Sequence, residues 1–136
     1  MRKEKYLSKE HKERYKKCLN YTDERIDGYK EFKAFVYILC LSENCEKHIK
    51  ELFDFSKLEI DLYGLTNLEW ASEEDMALIR LALNLYSYEY PTTFLMSAFT
   101  DQVTEVLNYS PAFLFKDVED EIREYMFEGI KIALEE

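Results

Sequence analysis

Glycine and proline are scarce in this chain, with three and two residues among 136. Sandwiches and barrels turn often and draw on both residues to do so. The shortage argues against them and for helices joined by a few connections. The glycines stand at 28, 64 and 129, too scattered for a phosphate-cradling loop, and no Gly-x-Ser-x-Gly elbow occurs. Cysteine is limited to Cys18, Cys40 and Cys45, an odd number without a CxxC pair. A secreted disulfide scaffold normally carries an even set, so the thiols read as reduced and the expected location is cytoplasmic. The longest apolar run covers residues 34–41. A membrane helix needs about 20 such residues, and the basic start lacks the apolar stretch of a signal peptide. No membrane association is expected.

Aromatic residues, by contrast, are plentiful: eleven Tyr, nine Phe and one Trp in a chain that is 47% hydrophobic. Each large ring can bury roughly 150–250 Å², enough in sum for one packed core, and the length suits a single domain. Charge is uneven. Residues 1–17 carry eight Lys/Arg and three Asp/Glu, a net +5, while the remaining chain carries ten against twenty-five, a net −15. An acidic body repels phosphate backbones, which disfavours direct nucleic-acid binding and favours a basic protein partner.

Local signals place about six helices. Ser8 is a candidate N-cap with Glu10 in the first turn, on a stripe of Leu7, His11, Tyr15 and Leu19 at four-residue steps. Residues 29–41 begin with helical spacing (Tyr29, Phe32, Val36, Leu39) and become apolar all round. A buried strand over 35–39 is the alternative, and helix is preferred. Asn44 is the expected cap of a helix over 45–55, and the alternation of Leu58, Ile60 and Leu62 before Gly64 suggests an extended piece and a turn. Ser72 with Glu73, Glu74 and Asp75 after it is the strongest helix start, because acids in the first turn meet the positive end of the dipole. Residues 73–87 are therefore expected to form the buried central helix. A further helix is expected over 94–107, and Ser110-Pro111 beyond it is a cap and first-turn pair. A last helix turns Val118, Ile122, Tyr125, Met126, Ile130 and Ala133 inward. The expected fold class is all-α: one domain, 1–136, an orthogonal or irregular bundle around that central helix.

Catalytic constellations are weak, and neither a cofactor nor a metal site is expected. His11 and His48 are the sole imidazoles. The first lies on an apolar stripe and the second beside Lys47, so both have structural readings. Cys45 and His48 stand three apart, but zinc requires four ligands and no second half is evident. Arg80 is the one Lys or Arg between Lys57 and Lys116. It reads as half of a structural ion pair or, with Asn84 one turn on, as an anchor for an anion. Acids cluster at Asp117, Glu119, Asp120, Glu121, Glu124 and Glu128, and Tyr88, Glu89 and Tyr90 precede Pro91. Acidic runs are commonly solvated faces. Acids set beside aromatic residues also suit an interface with a basic groove.

The strings Leu7-Ser8-Lys9-Glu10-His11-Lys12-Glu13-Arg14-Tyr15, Phe35-Val36-Tyr37-Ile38-Leu39 and Leu52-Phe53-Asp54-Phe55, then Trp70 and Ile79-Arg80-Leu81-Ala82-Leu83-Asn84-Leu85-Tyr86, resemble a family of small uncharacterised proteins. That family occurs in Firmicutes-type bacteria and their mobile elements. The likeness covers residues 7–87, which splits the domain into a family-like part (1–90) and a C-terminal helical extension (91–136) packed on it. The resemblance implies an origin and no activity. The function expected is a non-enzymatic acidic module that binds a basic protein. Its narrower form is a mobile-element inhibitor that mimics nucleic acid toward a host defence enzyme. The alternatives are a small-molecule or anion sensor or enzyme built on Arg80 and Asn84, and a homo-oligomeric structural protein, in its simplest form a homodimer.

Overall fold

The computed structural model describes residues 5–22, 29–86 and 118–134. Among them the chain is mostly helical: α1 (Lys9–Leu19), α2 (Lys30–Leu39), α3 (Glu43–Lys47), α4 (Ile49–Leu52), α5 (Glu73–Tyr86) and α6 (Asp120–Leu134). A hairpin of β1 (Phe53–Asp54) and β2 (Glu59–Ile60) and a 3-10 turn, Gly64–Thr66, lie between α4 and α5. The expected helix over 94–107 and the Ser110-Pro111 cap lie outside the described residues.

α1 starts where its cap chemistry says it should. The Ser8 hydroxyl accepts the His11 N–H at 3.0 Å, and His11, Tyr15 and Cys18 turn inward. α2 is helix rather than strand, and from Ala34 to Leu39 no side chain is more than 1% exposed. The enclosure expected for residues 73–87 is shared with this helix. α2 is covered by α1, α5 and α6 together, whereas α5 keeps Met76, Arg80, Asn84, Leu85 and Tyr86 only half-buried. The reason lies in composition, since α2 runs apolar through three faces and α5 retains Arg80 and Asn84 along one edge.

The helix expected over 45–55 is broken in two. Ser42, not Asn44, caps α3, accepting the Cys45 N–H at 3.2 Å. The chain leaves helical geometry at His48, resumes it for Ile49–Leu52, and becomes extended at Phe53. Phe53 then meets the rings of Phe35, Phe55 and Tyr86 with centroids 5.0–5.1 Å away, and Phe32 at 5.5 Å. Aromatic packing of this kind exceeds the small propensity cost of ending a helix early. The hairpin pairs Phe53 with Ile60 and Asp54 with Glu59. Its turn is organised by the Asp54 carboxylate, which accepts the Ser56 and Lys57 N–H groups at 2.9 and 3.2 Å. The extended piece expected near Leu58–Leu62 is thus a short antiparallel strand, and Gly64 opens the turn after it.

α6 follows the expected inward pattern at Ile122, Met126 and Ala133, with Tyr125 and Ile130 half-buried, and Val118 is buried just ahead of its first residue. Its buried arc also takes in Glu128 and Gly129. Gly129 lies on α2 so closely that a Cβ there would stand 2.3 Å from Ile38 Cδ1.

Candidate functional site

Three helix starts carry the acidic end of the molecule, and one carboxylate joins two of them. Asp75, three residues after Ser72, exchanges bonds with it: the Asp75 N–H donates to Ser72 Oγ at 3.1 Å and the Ser72 N–H donates to Asp75 Oδ2 at 3.0 Å. This reciprocal cap starts α5. The same carboxylate accepts the Ser42 hydroxyl at 2.6 Å and the Asn44 amide at 3.0 Å, both from the start of α3. Asn44 also donates to the Trp70 carbonyl at 2.9 Å, so its side chain serves a tertiary contact and not a helix cap. Asp75 is 5% exposed. Burial alone would raise its pKa, but the donors from Ser42, Asn44 and Ser72 hold it below the ordinary carboxylate value.

α6 enters beside this junction. The Glu119 N–H donates to the Glu74 carboxylate at 3.3 Å, which ties the first turn of α5 to the approach of α6. Glu119, Asp120, Glu121 and Glu124 are exposed there, as are Glu43 and Glu73 on the neighbouring starts. Asp120 is paired with Arg123 at 3.3 Å, and Arg123 in turn donates to the Val118 carbonyl. Glu128 departs from the expectation. It is 4% exposed and lies on the buried arc of α6, so it is not part of the acidic face. Tyr88, Glu89, Tyr90 and Asp117 lie outside the described residues.

Two shallow clefts border the face and share Glu43. One, about 450 Å³, is lined by Leu41, Ser42, Glu43, Asn44, Lys47 and Glu74. The other, about 370 Å³, lies between α1 and α3 and is lined by Glu10, Glu13, Arg14, Lys17, Glu43 and Glu46. Its cations are occupied: Arg14 Nε donates to the Cys40 carbonyl at 2.9 Å and Lys17 pairs with Glu46 at 3.1 Å.

Neither cleft touches Arg80 or Asn84. The two share one edge of α5 and are both half-buried, and Arg80 is not a free cation. Cys45 and His48 do not converge. The Cys45 thiol faces the Asp75 carboxylate at 3.7 Å, and burial together with that charge pushes its pKa well up. His48 stacks flat on Trp70 at 4.1 Å between centroids and bonds Glu51 through Nδ1. Among the described residues no group of three or more His, Cys, Asp or Glu is placed to hold a metal, and no helix is long and apolar enough to cross a membrane.

Ser42, Asn44 and Asp75 acting together are not foreseeable from the sequence. The Ser72-x-x-Asp75 spacing does signal a capping pair. Nothing in the sequence announces that the same carboxylate also serves residues 33 and 31 positions earlier.

No curated protein and no solved structure matches the chain. One family model does, over residues 1–136, so the match extends beyond residues 7–87. On that match the chain belongs to the family of unknown function DUF6075.

Proposed function

We propose that the protein is a non-enzymatic interaction module that receives a basic segment of a partner protein on the face formed by the starts of α5 and α6. The observation that carries this reading is the contact between Glu74 and Glu119. It draws acids from two helices into one surface, backed by the Asp75 junction. A rigid support matters because side chains already held in place lose less freedom on binding. Acidic charge concentrated at one end speeds encounter with a cationic partner and makes the complex salt-sensitive. The narrower form is occupation of a groove that otherwise holds nucleic-acid phosphates, which makes the module an inhibitor of a nucleic-acid-handling enzyme. The acidic body and the cytoplasmic setting inferred from reduced thiols support it.

The test replaces Glu119, Asp120, Glu121 and Glu124 together by their amides and compares capture of partners at low and moderate salt. A basic protein held by the native chain, released as salt rises and lost from the variant, is the expected result. Capture unchanged by the four substitutions removes this surface from consideration. One observation favours a second reading, self-association. Phe127 and Leu134, seven residues apart on α6, are 49% and 72% exposed. Sedimentation giving a monomer mass at high concentration would end that reading.

A further inference from the structure

The residues just ahead of α1 are tied down at two points. The Tyr37 hydroxyl donates to the Lys5 carbonyl, and the Leu7 N–H donates to His11 Nδ1 at 3.1 Å. Between these bonds the Tyr6 ring sits against three others: His11 at 5.7 Å, Tyr15 at 5.9 Å and Tyr37 at 6.2 Å. Residues 6–8 are half-buried in this position, over rings of which Tyr15 and Tyr37 are almost wholly enclosed.

The hydrogen bonds assign the state of the imidazole. Nδ1 accepts an amide proton and so carries a lone pair. Nε2 lies 3.0 Å from the Tyr37 carbonyl, which can only accept, so Nε2 carries the hydrogen. The ring is therefore neutral, with both nitrogens in use. A second proton could enter only at Nδ1, where it would face the Leu7 N–H and abolish that bond. It would also place a charge on a ring that is 0% exposed.

We infer that residues 5–7 are a strap over the aromatic cleft between α1 and α2, with neutral His11 as its catch, and that protonation of His11 releases the strap while α1 stays folded. α1 can persist because its own cap does not use the imidazole: the Ser8 hydroxyl accepts the backbone N–H of His11. The groups set against the imidazole are Tyr6 from the strap, Arg14 from α1 and Tyr37 from α2, while Lys12 lies over the Tyr6 ring and Tyr15 packs on Tyr6 and Tyr37. No carboxylate among them offers the imidazolium a partner. Burial chiefly, then the Arg14 charge, lowers the His11 pKa to about 4, and the bond to the Tyr37 carbonyl opposes them. Release opens the Tyr15 and Tyr37 rings to solvent or to an apolar ligand.

Amide hydrogen exchange on the full chain, corrected for intrinsic rates, tests this between pH 7 and pH 3. Protection of the Leu7 amide is expected to fall with a midpoint near 4, in step with the His11 imidazole resonance, while the Leu78 amide of α5 stays protected. Simultaneous loss at Leu7 and Leu78 would mean general unfolding and would overturn the latch. So would Leu7 protection that ignores the imidazole titration. Tyr37→Phe supplies an independent reading because it removes the hydroxyl that ties Lys5 and keeps the ring and the backbone carbonyl that contact His11. In that variant the midpoint should move upward toward 6.5, the ordinary histidine value, and an unmoved midpoint counts against the coupling.

Discussion

Replacing Asp75 by Ala strands several donors at once: the Ser42 hydroxyl, the Asn44 amide and the Ser72 N–H. Ser42 and Asn44 are half-buried and Ser72 is exposed, so water can replace part of what is lost, and Asp75→Ala should destabilise by about 1–3 kcal/mol, seen as a shift in denaturation midpoint. Asn44→Ala removes one arm of the junction and should be milder. The carboxylate also has a pH signature. Its folded pKa lies below the ordinary value, so its stabilisation is present above that value and lost as pH falls through the lower one. How much of this is legible in the sequence differs by residue. Asp75 shows as a first-turn acid, and its cap on Ser72 follows from spacing. Its bonds to Ser42 and Asn44 are set by tertiary packing, which no local pattern encodes. Glu128 misleads for a related reason. It continues the series Asp117, Glu121 and Glu124 by helical steps, yet the arc that α6 buries is wide enough to include it.

At the level of elements, structure is legible where a stretch decides its own geometry. Ser8 and Ser72 start α1 and α5, and the mixed periodicity of residues 29–41 yields helix. Residues 45–55 behave otherwise. Helical spacing is present there, but the Phe53 ring is drawn among Phe32, Phe35, Phe55 and Tyr86 and the chain straightens to let it in. Two glycines separate two kinds of close approach between elements. A Cβ on Gly64 would lie 1.7 Å from the Glu51 carbonyl oxygen, a backbone atom that α4 holds in place. Gly64→Ala should therefore displace the 3-10 turn and cost about 3 kcal/mol or more, with loss of the protection that the hairpin gives to Asp61. A Cβ on Gly129 meets chiefly the end of the Ile38 side chain, which can change rotamer. Gly129→Ala is then an overpacking change of about 1–3 kcal/mol, partly relieved in the double variant Gly129→Ala, Ile38→Val. Thermal denaturation of the three variants side by side distinguishes rigid from yielding contact.

For the molecule as a whole, acid should be the more damaging direction of pH. His11 is neutral in the fold with a pKa near 4 against 6.5 when unfolded, so the unfolded chain binds more protons between those values. Stability then rises with pH across that window, is complete above 6.5, and is diminished by about 3 kcal/mol at its lower end. Relief of repulsion within a chain of net charge −10 works the other way as carboxylates protonate. Urea midpoints at pH 7, 5.5 and 4 should fall in that order, and His11→Gln should flatten the upper part of the decline. A helical bundle is legible from scarce turns and abundant rings. Which helix lies deepest is not, because burial of α2 depends on partners near both ends of the chain. That placement bears on how the protein is made. α2 leaves the ribosome with three apolar faces, and the helix that covers one of them, through Gly129 against Ile38, is about ninety residues behind. At roughly 5–20 residues per second, α2 stands uncovered on that side for several seconds or more during each round of synthesis, a period in which a chaperone has the first claim on it.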